Sequence, residues 1–115
     1  MADDTTRGAK RVEGERAFEA ARAEAVGNGE AELPGIDFST FVLSLSHSAL
    51  VHLGDAPAPE EGRLPVNLPM ARQTIDLLSL LQDKTRGNLT GAEEHMMDQV
   101  LYDLRMRYVE VARAQ

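Results

Sequence analysis

The 115-residue sequence has no cysteine, no tryptophan, only three histidines, three Phe and two Tyr. Without cysteine there is no disulfide, no thiolate metal site and no thiol nucleophile. That lack also fits a reducing compartment. No long apolar run occurs. The longest uncharged stretch, Phe38 to Gly54, is 17 residues and holds four Ser, one Thr and two His. A membrane span needs about 20 predominantly apolar residues, so a buried helix is expected there instead. The start, Met1-Ala2-Asp3-Asp4, is acidic where a secretory signal is basic, and no apolar segment follows it. A cytoplasmic protein with no membrane partner is expected. Positive charge is scarce too: the formal net charge is -7. Beyond residue 35 no basic cluster is denser than a pair such as Arg105 with Arg107, too little to attract a phosphate backbone, so no nucleic-acid partner is expected.

What is present falls into two parts. Residues 1–35 carry 5 Lys/Arg and 8 Asp/Glu, with Phe18 as the one aromatic. So little apolar surface cannot offset ordering entropy, and a charged, disordered or partly helical tail is expected. The Ala-, Glu- and Arg-rich stretch Glu13 to Val26 has the propensity for a transient helix. Gly27-Asn28-Gly29 and Pro34-Gly35 then interrupt the chain.

Residues 36–115 read as a helical domain of three helices. The first starts at Asp37, a good N-cap, with Ile36 and Phe41 placed for a hydrophobic staple. Phe38, Phe41, Val42, Leu45, Ala49 and Leu53 form one apolar stripe, and Leu43, Leu50 and Val51 form a second on roughly the opposite side. Gly54 suits a helix stop. Gly54 to Asn67, with Pro57, Pro59 and Pro65, reads as a solvated connection. The second helix follows Asn67, runs from about Leu68 to Thr85, and turns Ala71, Ile75, Leu78, Leu77 and Leu81 inward. Gly87 ends that segment, and Thr90-Gly91-Ala92-Glu93 is a capping box opening the third helix, which continues to about Ala112. Met97, Leu101, Leu104, Tyr108 and Val111 make a heptad seam, and Tyr102, Met106 and Val109 a second line on another side. Asp103 and Arg107 are spaced for an i,i+4 ion pair.

Five segments taken together resemble a known family: Asp37-Phe38-Ser39-Thr40-Phe41-Val42-Leu43-Ser44-Leu45, Ser48-Ala49-Leu50-Val51-His52-Leu53-Gly54, Gln73-Thr74-Ile75-Asp76-Leu77-Leu78, Gly87-Asn88-Leu89-Thr90 and Leu101-Tyr102-Asp103-Leu104-Arg105-Met106-Arg107-Tyr108-Val109. Over about residues 36–115 the chain is similar to the bacterial domain of unknown function 1844 family. The resemblance implies a bacterial cytoplasmic protein and supplies no activity and no site residues.

Chemistry-bearing patterns are sparse. His47 and His52 are five apart, about 140° round a helix, and so cannot share a metal. Each is expected as a hydrogen-bonded core or interface histidine. Glu94, His95 and Asp98 are a weak ligand set on a solvated first turn. Ser44, Ser46 and Ser48 lie near the histidines, but no nucleophile elbow is present, and helical serines bond back to the i−4 carbonyl. Glu60-Glu61 and Glu93-Glu94 read as solvated charge. Lys84-Thr85-Arg86-Gly87-Asn88 has the make-up of an anion site or, more plainly, of a helix–helix turn. Met96, Met97 and Met106 suit an adaptable surface or a core equally.

The expectation is therefore all-α: one helix plus a helical hairpin, joined into a helix-bundle homo-oligomer through Leu43, Leu50, Val51, Tyr102, Met106 and Val109. A unit of about 80 residues buries only about 60–65% of its unfolded surface, and pairing is the remaining means of stabilising it. The function expected is non-enzymatic interaction or scaffolding, with the chain itself as partner and another protein as a second one. No catalytic residue, cofactor or metal is assigned. The alternatives are a ligand- or metal-binding module built on the Ser/His-rich first helix, using His47 and His52, and an enzyme subunit acting only within a complex.

Overall fold

A computed structural model describes residues 2–115, with side chains from Thr5 onward. Among the described residues the protein is all-α, with four helices: α1 (Ala2–Gly27), α2 (Phe38–His52), α3 (Leu68–Lys84) and α4 (Gly91–Ala114). The chain divides into two units, residues 1–35 and 36–115.

The first unit is a single long helix and the segment after it. The helix begins at Ala2 rather than near Glu13, so the transient stretch expected from the sequence is only its second half. The reason is local. Ala, Arg, Lys and Glu dominate α1, and ion pairs such as Arg11–Glu15 (3.1 Å) and Arg22–Glu19 (3.2 Å) lie one turn apart along it. Its apolar residues, Val12, Phe18 and Val26, are exposed and do not share one stripe. The helix ends in a Schellman motif. Gly29, at φ 96°, donates to the Val26 carbonyl at 3.0 Å and Glu30 to the Ala25 carbonyl at 3.1 Å. Arg22 also pairs with Glu32 in the segment that follows.

In the second unit α2, α3 and α4 each touch the other two. Their caps follow the sequence. Asp37 accepts the Thr40 N–H at 2.7 Å, Asn67 accepts that of Met70 at 3.1 Å, and Thr90 with Glu93 closes a capping box. Ile36 is largely exposed, so the staple at the start of α2 buries little. α2 stops at Gly54, whose φ of 82° no other residue type adopts cheaply. There Gly54 donates to Val51 O and Asp55 to Leu50 O, a second Schellman motif.

The main core is Val42 and Ala49 of α2, Ile75 and Leu78 of α3, and Met97, Leu101 and Leu104 of α4. A smaller cluster, Leu53, Ala71 and Val111, brings together the end of α2, the start of α3 and the end of α4. At the opposite end Gln82 donates to Asp98 at 2.7 Å, joining the end of α3 to the start of α4. α3 is therefore antiparallel to both of its neighbours. No buried residue among those described is polar or charged, so packing rather than a buried polar network holds this unit.

The long connection is folded rather than merely solvated. Ala58 is buried and bonds to Gly62 through paired backbone groups, Arg63 donates to Gly54 O at 2.6 Å, and Asn67 N–H returns to His52 O at 2.8 Å. Asp55 takes a two-pronged bond from Arg107 of α4, at 2.6 and 2.8 Å. Arg107 thus pairs with Asp55 and Glu110 rather than with Asp103, which accepts from Gln99 instead. A fork geometry matches a carboxylate better than a single i,i+4 contact does.

Candidate functional site

The six side chains expected to mediate self-association are placed unequally. Val51 is only 7% exposed within the single chain. Burial within its own chain removes it from the candidate face. Leu50 is half-buried and packs against the main core. Leu43 stays open at 53%, Tyr102 at 63% and Met106 at 45%, with Val109 half-buried.

On α4 the three apolar residues stand at i, i+4 and i+7 and so share one flank. That flank borders the groove between α3 and α4. One part of the groove is lined by Gln82, Asp98, Leu101, Tyr102, Arg105 and Met106. The next part is lined by Arg72, Ile75, Asp76, Arg105, Tyr108 and Val109. Three hydrogen bonds cross it: Gln82 to Asp98, Arg105 to Ser79 at 3.2 Å, and Arg72 to the Tyr108 hydroxyl at 3.2 Å. These exposed bonds fix where the side chains point more than they stabilise the fold. Arg105 is drawn toward α3, which leaves Tyr102 and Met106 as an apolar ridge beside it.

Reading by helical period alone misses other open apolar surface. Phe41, assigned from the sequence to the core stripe, is 42% exposed, and Leu77, assigned to the inner face of α3, is also exposed. Met70 and Leu80 join them. The signal was present in spacing: Leu77 lies about 120° from Ala71 and about 100° from Leu78, beyond the arc that two neighbours can cover.

The residues weighed for chemistry stay apart. His47 and His95 are exposed, and His52 Nδ1 lies 2.9 Å from the Ser48 carbonyl. No group of three potential metal ligands converges among the described residues. Ser44 donates back to Thr40 O at 2.9 Å, as a helical serine does. At the α3–α4 turn a cleft of about 260 Å³ is lined by Gln82, Arg86, Leu89, Glu94, Met97 and Asp98. Two carboxylates there face one guanidinium, and Arg86 is engaged by Asp83 at 2.8 Å, which disfavours an anion. The resolved titration shifts follow caps and ion pairs. Arg107 holds the Asp55 carboxyl below its usual range against a desolvation penalty, and the Thr40 N–H does the same for Asp37.

The family model described as Domain of unknown function (DUF1844) matches residues 35–110. No curated protein and no solved structure matches the chain. Among the described residues, no helix is long and apolar enough to cross a membrane.

Proposed function

The chain belongs to the DUF1844 family, and we propose that it is a small non-enzymatic interaction protein of the bacterial cytoplasm that self-associates through an open apolar helix face. One observation carries this reading. Tyr102 and Met106, with the half-buried Val109 beside them, form a ridge on α4 that their own unit leaves largely open. Each such side chain gains about 1.5–3 kcal/mol on full burial, and soluble monomers rarely leave several together. A symmetric pair is the commonest way to cover a face of this kind. Leu43 on α2 is a lesser candidate for the same contact.

Light scattering on the gel-filtered protein at micromolar concentration tests it. The mass expected is at least twice the 12.6 kDa of the chain. A folded species of single-chain mass at every concentration would overturn self-association and leave the ridge as a surface for a different protein.

A further inference from the structure

We infer that the second copy docks antiparallel along α4, with the twofold axis passing between Arg105 and Met106. This inference rests on the self-association proposed above and names its seam.

The α4 flank that carries Tyr102, Met106 and Val109 continues in both directions. Toward the N-terminus it meets Asp98, and in the last turn it meets Arg113; both are exposed. At 100° per residue, Asp98, Tyr102, Met106, Val109 and Arg113 fall within an arc of about 80°. The charges are therefore at opposite ends of one apolar ridge: acid, ring, thioether, aliphatic, base.

A ridge with that order is complementary to itself only when reversed. In a parallel pair Asp98 faces Asp98 and Arg113 faces Arg113, two like-charge contacts. In an antiparallel pair centred between Arg105 and Met106, Tyr102 faces Val109 of the second copy. Asp98, whose Oδ1 accepts from Gln82 of its own chain, then turns its other carboxylate oxygen to Arg113 of the second copy, and symmetry forms that ion pair twice. Asp98 and Arg113 each lie about 11 Å from the axis, so the match closes without a register shift. Near the axis the two Met106 side chains meet, and methionine suits a contact that must pack against its own copy. Arg105 does not crowd the axis, because Ser79 holds it toward α3.

The absence of cysteine makes the test clean. In the full-length chain, Met106→Cys should oxidise to a disulfide-linked dimer, since only residues beside a twofold axis approach their own copies closely enough. Tyr102→Cys and Val109→Cys should each stay uncrosslinked alone and crosslink when combined in one chain. Independently, Asp98→Arg and Arg113→Asp should each weaken dimerisation by about tenfold, and the double charge swap should restore it. A chain that is dimeric by light scattering, yet crosslinks through Tyr102→Cys alone or ignores both charge reversals, would overturn this seam and leave self-association standing. A monomer under all conditions would overturn both.

Discussion

At the scale of residues, packing sets most of the stability, and a few polar side chains add ties between segments far apart in sequence. Asp55 and Arg107 are the clearest pair, since they tie the end of α2 to α4. The bonds from Arg107 hold the Asp55 carboxyl below its ordinary value in the folded state. A lowered carboxyl pKa contributes stability that is complete above the unfolded value and lost as pH falls through the folded one. The melting temperature of Asp55→Asn should therefore lie below that of the native chain at pH 7, and the gap should close as the pH drops below about 4. Calorimetry across that range checks it; a gap constant with pH would show that charge is not what Asp55 contributes. Gly54 is a second such point. A Cβ there would stand 3.3 Å from Val66 Cγ2, on a backbone with φ of 82°. Gly54→Ala should cost more than about 1 kcal/mol in urea denaturation, whereas a change at an open glycine with negative φ, such as Gly91, should cost less.

At the scale of elements, the caps make each helix a separable prediction. Thr90 accepts the Glu93 N–H at 3.1 Å and gives its own N–H to Glu93 at 2.8 Å. Thr90→Ala should destabilise by about 1 kcal/mol, or about 4–8 °C in melting temperature, and Thr90→Ser by less. Equal, silent melts for both would mean that α4 does not depend on this box. α1 should behave oppositely. Every buried hydrophobic residue among those described lies between Val42 and Val111, so removing residues 1–33 should shift the melting temperature by less than about 5 °C while helical signal is lost. The elements from Asp37 onward were legible because their signals are local: a capping side chain, a glycine stop and a 3.6-residue period each act within one turn. The extent of α1 was not, because composition says how little a helix can bury but not where helix propensity stops. The burial of Val51 was also invisible. So was the path of the connection, which bonds of Ala58, Arg63 and Asn67 fold back and of which a Pro-rich stretch gives no sign. Of the candidate face, period alone placed Tyr102 and Met106 on an outer flank of α4. It could not separate Leu50 from Leu43, since that depends on how far neighbouring helices wrap.

At the scale of the whole molecule, two substitutions, one against the core and one on the outer flank of α4, separate fold from assembly. Leu50 packs against the main core of its own chain, so Leu50→Glu places a charge where no partner exists. That variant should lose helicity and melt early whether or not the chain pairs. Met106 is 45% exposed in the single chain, so Met106→Glu should be tolerated by the fold itself. In a paired molecule it puts two carboxylates near one axis in apolar surroundings, and the cost falls on association alone. The expected result is a variant of near-native helicity whose scattering mass falls toward 12.6 kDa. Association also couples to stability: a species that pairs only when folded melts higher as its concentration rises. The native chain should therefore gain several degrees between about 1 and 100 μM, and Met106→Glu should lose that dependence. A native melting temperature independent of concentration, with Met106→Glu unchanged in mass, would assign the ridge to a partner other than a second copy of the chain.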